Sequence, residues 1–129
     1  MARGIEIREA HFPGRAPIDA YGNGGFRFAD MSHKGSILCL PSGIHGWEPQ
    51  SPPVLTVQDL AMVVEQASDI EILLVGTGVE LRRLPAELRD LLRQHGISSD
   101  PMSTGAAVRT YNVLLAEDRA VAAALIAVD

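Results

Sequence analysis

The stretch EILLVGTGVE, residues 71–80, decides how the chain is read. Ile70 to Val75 is apolar apart from Glu71, the pattern of a strand covered on both faces. The run ends in Gly76-Thr77-Gly78, and glycines at a strand end are how many nucleotide-binding proteins bring backbone to a phosphate. A phosphate cradle also needs a helix N-terminus directly behind the turn. Here VELRRL intervenes, and the next helix is predicted to start near Pro85. The third glycine of the dinucleotide fingerprint and the Gly-Lys-Ser or Gly-Lys-Thr of the P-loop are missing too. The glycines are therefore read as a tight exit from a buried strand. The functional alternative is a crevice at the carboxyl end of that strand, where open α/β sheets bind ligands.

Downstream, Pro85 suits the first turn of a helix, Leu88, Leu91 and Leu92 give it an apolar stripe, and Gly96 stops it. GISSD, 96–100, reads as a short strand. Ser103 or Thr104 caps a further helix running to about Ala116, with Val108, Tyr111, Leu114 and Leu115 on one face. In AVAAALIAV, 120–128, the alanines favour helix and the continuous apolarity favours a buried strand. The break at Glu117-Asp118-Arg119 tips the reading to strand.

Upstream, Thr56 and Asp59 have capping-box spacing ahead of Val57, Leu60, Ala61 and Val64, which share a helical face. Residues 41 to 53 carry prolines at 41, 49, 52 and 53 with Gly43 and Gly46, and read as a long loop. Before it, GSILCLP is a short strand, Phe26 and Phe28 follow a Gly/Asn turn at strand spacing, and IEIREAHF, 5–12, alternates like a half-buried strand. The result is one α/β domain over 1–129: a β-rich portion with a Pro/Gly loop over 1–53 and regular α/β alternation over 54–129.

Composition narrows the function classes. The chain of 129 residues is 47% hydrophobic and 21% charged, as expected of an ordinary globular domain. No apolar run reaches the roughly 18 residues needed to span a bilayer. The N-terminus has no apolar signal core, and Glu6 and Glu9 argue against a transit peptide. A single cysteine, Cys39, suits a reducing compartment, so the expected location is the cytoplasm. A net charge of −5 disfavours a nucleic-acid partner. Arg82, Arg83, Arg89 and Arg93 cluster, and read as a solvated helix face.

No catalytic set emerges. Ser42 and His45 lack the nucleophile elbow of a hydrolase. Cys39, inside an apolar strand, reads as a small hydrophobe. His11, His33, His45 and His95 are scattered, with no zinc-type pair, so no metal and no cofactor are expected. Trp47 is either a loop anchor or an aromatic contact at a pocket or interface. Asn112, on the apolar side of its helix, needs hydrogen-bond partners and is read as fixing the helix to the sheet. Arg109 suits a carboxylate or phosphate clamp, although pairing with Glu117 or another element is favoured.

The stretches MSTGAAVRTYNVLLAEDRAVAAALI, IEILLVGTG, LPAELRDLLRQHGI and GIHGWEP together resemble a family of small bacterial and archaeal proteins. That family also includes a mitochondrial respiratory complex I assembly factor and the adipogenesis-associated domain protein of animals. The resemblance covers almost the whole chain. It implies a three-layer fold with a mixed central sheet of about five strands, flanking helices and an N-terminal β portion, and it implies a strand at VAAALI. The shared positions are Trp47, Gly76, Thr77, Gly78, Thr104, Gly105, Arg109, Thr110, Tyr111 and Asn112. Ser103 departs from the acid usual there, so a site needing a carboxylate at 103 is not implied. Trp47, Gly76, Thr77, Gly78, Thr104, Arg109 and Thr110 are the candidate ligand or partner surface. The implied function is a non-catalytic binding or assembly module contacting another protein or protein complex. The alternative is a small-molecule binder or enzyme using a crevice between the Gly76–Gly78 turn, the Trp47 loop and the Arg109 helix.

Overall fold

The computed structural model describes residues 12–51 and 53–129. Among these residues, eight strands form two sheets. β1 (Ala20–Gly22), β2 (Gly25–Phe28) and β3 (Met31–Lys34) make a small antiparallel sheet. β4 (Ser36–Leu40), β5 (Gly43–Trp47), β6 (Ile72–Gly76), β7 (Ser98–Met102) and β8 (Val121–Leu125) make the central sheet, in the order β5-β4-β8-β6-β7. It is mixed: β4 runs antiparallel to β5 and β8, while β6 runs parallel to β7 and β8. Three helices pack on it: α1 (Ala61–Glu65), α2 (Ala86–Gln94) and α3 (Thr104–Ala116).

Strand alternation creates the three layers. Ile37, Cys39, Leu74, Val121, Ala123 and Leu125 point to one face, where they meet Ala107, Val108 and Tyr111 of α3 and Phe26 and Phe28 of the small sheet. Leu38, Leu40, Leu73, Val75, Ala122 and Ala124 point to the other, against Leu60 and Val63 near α1 and Leu88 and Leu92 of α2. The crossovers explain the sides. The β6–α2–β7 connection steps outward to the sheet edge, and β7–α3–β8 steps back across β6. Crossovers of one hand that move in opposite directions place their helices on opposite faces.

The tight turns follow from their residues. Asn23 (φ 52) and Gly24 (φ 79) close the two-residue β1–β2 hairpin, where the backbone twist requires positive φ. Ala29 and Asp30 do the same between β2 and β3 at φ 48 and 62. Pro101 is tolerated in β7 because that strand is a sheet edge.

Helices α2 and α3 and strands β6, β7 and β8 stand where the sequence predicts them. Two other expectations need correction. The supposed loop from 41 to 53 contains β5, paired with β4 from Leu40↔Gly43 to Ser36↔Trp47. Pro41 and Ser42 are a hairpin turn, and Gly43 sits at φ 142 with a Phe12 carbonyl where a Cβ would be. Ile44 exchanges hydrogen bonds with Phe12, N–H to O at 2.9 Å and O from N–H at 3.1 Å. Glycine here permits pairing rather than breaking it. Second, the segment after Thr56 is not one amphipathic helix but a 3-10 turn (Val57–Leu60), α1 and a further 3-10 turn (Ala67–Asp69). The tighter turn rotates the stripe, so Leu60 and Val63 are buried while Val57 is 39% exposed. The Asp59 carboxylate still accepts the Thr56 N–H at 2.8 Å, as the capping pattern predicts. The strand expected over 5–12 lies outside the described residues except for Phe12.

Candidate functional site

The Gly76-Thr77-Gly78 turn sits at the carboxyl end of β6, beside the ends of β7 and β8, and the start of α3 packs onto it. A Cβ on Gly76 would meet the Thr104 Cα at 2.9 Å and the Ala107 Cβ at 3.2 Å, so glycine sets how closely α3 approaches. Gly78 adopts φ 113; its N–H donates to Thr104 Oγ1 at 3.0 Å and its carbonyl accepts the Thr104 N–H at 2.8 Å. The buried Thr104 hydroxyl in turn donates to the Ile126 carbonyl at 2.7 Å. Thr77 organises the loop that follows. Its hydroxyl reaches the carbonyls of Glu80 at 2.7 Å and Met102 at 3.1 Å, and accepts the Arg82 N–H at 3.0 Å. Thr77 and Thr104 thus use their hydroxyls to close the sheet end, and neither presents one to a ligand.

Two depressions flank this loop. On the α3 side, Gly78, Val79, Ser103, Gly105, Arg109, Tyr21 and Val128 line a hollow of about 230 Å³. Arg109 is exposed there, and among the described residues no acidic side chain pairs with it; the ion pair expected with Glu117 is absent. Glu117 caps the C-terminus of α3, and the rise of about 1.5 Å per residue puts it about 12 Å along the helix axis from Arg109. On the other side, Pro53, Val54, Leu55, Thr77, Arg82, Arg83, Leu84 and Pro85 line a larger groove of about 460 Å³. Sequence reasoning does not single out this groove. Of the apolar residues that line it, Val54 is the one left 85% exposed.

The remaining predicted positions are dispersed. Trp47 is buried against the α1–α2 face, with its indole N–H donating to the Asp59 carbonyl at 2.8 Å, and it lines neither depression. The structure therefore brings Gly78 and Arg109 together and leaves Trp47 apart. Thr110, next to Arg109 on α3, is half-buried. Asn112 makes a two-way bond with Ile18, its amide donating to the Ile18 carbonyl and its oxygen accepting the Ile18 N–H, both at 2.9 Å. It ties α3 to the extended segment before β1 rather than to the central sheet, a partner 94 residues away that periodicity does not reveal.

Reactive side chains are constrained. Burial pushes the Cys39 thiol from 9.0 up to about 12, with the neighbouring Tyr111 hydroxyl pulling the other way. Burial likewise raises Tyr111, so neither ionises near neutrality. Ser42 Oγ lies 2.9 Å from His45 Nε2 on the β4–β5 turn. Gln66 binds the same serine twice, accepting its N–H at 3.0 Å and donating to Oγ at 2.8 Å. That arrangement clamps the hairpin tip to the α1 segment, and Ser42 lines none of the depressions just described. Among the described residues, no cluster of His, Cys, Asp and Glu could hold a metal, and no helix is long and apolar enough to cross a membrane.

Comparison with known proteins places this geometry. The chain is 41% identical over 119 residues to an uncharacterised protein of Rhodobacter capsulatus, covering 92% of this chain and 90% of that one. It is 31% identical over 122 residues to NADH dehydrogenase (ubiquinone) 1 alpha subcomplex assembly factor 3 of Mus musculus. That match covers 95% of this chain but 66% of the assembly factor, so the chain spans about two-thirds of that relative. The crystal structure of an outer membrane protein from Bartonella henselae superposes with a TM-score of 0.89 at 70% identity, covering 92% of this chain and all of that one. Residues 18–126, from the segment that Asn112 holds to the end of β8, match the family described as Protein of unknown function (DUF498/DUF598), and the chain belongs to that family.

Proposed function

We propose that this protein is an assembly-factor-like module that acts by contacting other proteins, and that it carries out no chemistry of its own. The observation that carries this reading is the kinship with an NADH dehydrogenase assembly factor over 95% of the chain. A shared fold alone would be weak support, because one fold hosts many functions. The side chains agree with it. The thiol is buried with its pKa raised, the Ser42–His45 pair is spent on a turn, and the turn threonines bond backbone. We place the protein in the cytoplasm, with a protein or protein complex as partner and no nucleic acid, in keeping with the net charge of −5.

Affinity capture of the tagged full-length chain from native cells, with identification of bound proteins and metabolites, tests the reading. A reproducible set of proteins is expected. Recovery of a defined metabolite and no protein would overturn it. One observation favours a second reading: Arg109, without an acidic partner among the described residues, shares a hollow with Gly78 and Tyr21. A small carboxylate or phosphate ester suits that arrangement, since a guanidinium recognises both by paired hydrogen bonds. The candidate positions Gly76, Thr77, Gly78, Thr104, Arg109 and Thr110 would then be wall and support of one site, with Trp47 outside it.

A further inference from the structure

The loop between β6 and α2 leaves a groove that the fold itself does not need. Its walls are residues 53–55 and 82–85, neither of which belongs to a helix or strand. Pro85 (φ −54, ψ 142) and Thr56 (φ −120, ψ 168) show that both walls meet the neighbouring helical segments in extended conformation. Leu55 and Leu84 are packed into the core below, whereas Val54 and Leu81 are 85% and 62% exposed. A volume of about 460 Å³ lies within the roughly 300–1,000 Å³ of established binding pockets.

Two further features narrow the occupant. The N–H groups of Val54, Leu55, Arg83 and Leu84 have no hydrogen-bond partner among the described residues, while that of Arg82 is taken by Thr77. Backbone donors left open beside an apolar trough can hold an extended segment by main-chain hydrogen bonds, and pockets for alternate side chains then supply specificity. Arg82 and Arg83 stand at the groove, exposed and without an acidic partner among the described residues. Glu80 and Glu87 flank the loop but do not line the groove. In a chain of net charge −5, two adjacent unpaired arginines beside an apolar trough are a local reversal of sign.

We propose that this groove docks an extended segment of a partner protein. An aliphatic side chain sits over Leu55 and Leu84, and flanking Asp or Glu residues meet Arg82 and Arg83. The proposal rests on the protein-contact reading above and gives it a surface and a partner chemistry. Charge complementarity selects an acidic segment, because a basic or neutral one would leave both guanidinium groups uncompensated at the contact.

A phage-displayed library of short random peptides, panned on the immobilised full chain, tests this and requires no identified partner. Enriched peptides are expected to carry Leu, Ile or Val beside Asp or Glu. They should shift backbone amide resonances of residues 53–55 and 81–84, and bind more weakly as salt is raised. The double variant R82E/R83E should keep the wild-type Tm and lose at least about tenfold in affinity, a change of about 1.4 kcal/mol. R82K/R83K should retain most of it. Enrichment of basic peptides, resonance shifts confined to the Arg109 hollow, or unchanged binding by R82E/R83E would each overturn the proposal. Native capture separates the two levels. Identical proteins recovered on wild type and R82E/R83E would remove the groove but keep the protein-contact reading, whereas no protein on either would remove both.

Discussion

The two faces of the central sheet are covered in different ways. On one, α3 runs unbroken for 13 residues and is tied down at both ends of its contact. Thr104 bonds it to Gly78 and Ile126, and Asn112 bonds it to Ile18. On the other face, the five residues of α1 sit between 3-10 turns, and the nine of α2 follow an irregular loop. At Thr104 and Asn112 the α3 face has spent its polar side chains on the fold, while Arg109 stays exposed beside them. Among the described residues, the α1–α2 face leaves backbone donors unpaired in its loops and exposes Val54, Val57, Met62 and Leu81, where α3 itself exposes Val113. A long bonded helix makes stability, and short segments joined by loops make a surface. If that contrast is right, substitutions on the first face act on folding and those on the second act on contact.

The sharpest way to break the contrast is at Thr104, which is fully buried. Thr104→Val keeps the shape but removes the hydroxyl, leaving the Gly78 N–H and the Ile126 carbonyl without that partner. Each orphaned buried group costs about 1–3 kcal/mol, so a loss of about 2–5 kcal/mol is expected in denaturant unfolding. A loss below about 1 kcal/mol would mean that the sheet end is not closed by this residue.

Asn112 should follow at a smaller magnitude, because it is only partly buried. Asn112→Ala removes both bonds to Ile18 and should cost about 1–2 kcal/mol. Asn112→Asp keeps the acceptor for the Ile18 N–H but sets a carboxylate oxygen against the Ile18 carbonyl, so near neutral pH it should cost at least as much as Asn112→Ala. Equal stability of all three proteins would show that the N-terminal segment holds its place without α3.

The α3 face should also make the protein alkali-sensitive. Cys39 ionises only near pH 12 when folded but near its ordinary 9.0 when unfolded. Its contribution is therefore intact below pH 9 and is lost as pH rises from 9 towards 12, because the unfolded state releases its proton first. The slope is at most about 1.4 kcal/mol per pH unit for one proton, which gives a loss of about 1 kcal/mol by pH 10. The raised Tyr111 works in the same direction above its own ordinary value of 10.0. Cys39→Ala should lower stability at pH 7 through the lost packing but flatten this decline. A stability flat from pH 9 to 11 in the wild type would show that Cys39 is reached by solvent.

The sequence is legible where one periodicity rules a whole element. Ile72–Gly76, Ala86–Gln94 and Thr104–Ala116 each have one dominant pattern with a clear stop, and the continuous apolarity of β8 reflects cover on both faces. It misleads where glycine and proline have two uses. Gly43 and Gly46 signal a loop by composition, yet they lie in β5, where Gly43 lets the Phe12 backbone come close. Val57 reads as core only on a regular helix, and a 3-10 turn moves the stripe to Leu60 and Val63. At the candidate site, Gly78 and Arg109 are visible as residue types, but their shared hollow depends on β7–α3–β8 folding back across β6. The neighbouring groove is hidden for the same reason, since residues 53–55 and 82–85 are brought together only by tertiary packing.

Val54 provides the finest test, because the expected effect on folding is nil. Its side chain is 85% exposed, so it gives up almost no apolar area to the core. Val54→Ser should leave unfolding free energy within about 0.5 kcal/mol of wild type, the usual range for surface positions away from special features. The same substitution removes apolar surface from the groove rim, so it should weaken an acidic-aliphatic peptide selected on the wild-type protein. An exposed valine retained for folding would give the opposite result, with a lower Tm and unchanged binding. That outcome would make residues 53–55 part of the structural cover of α1 and α2, and the two faces of the sheet would then differ in helix length but not in purpose.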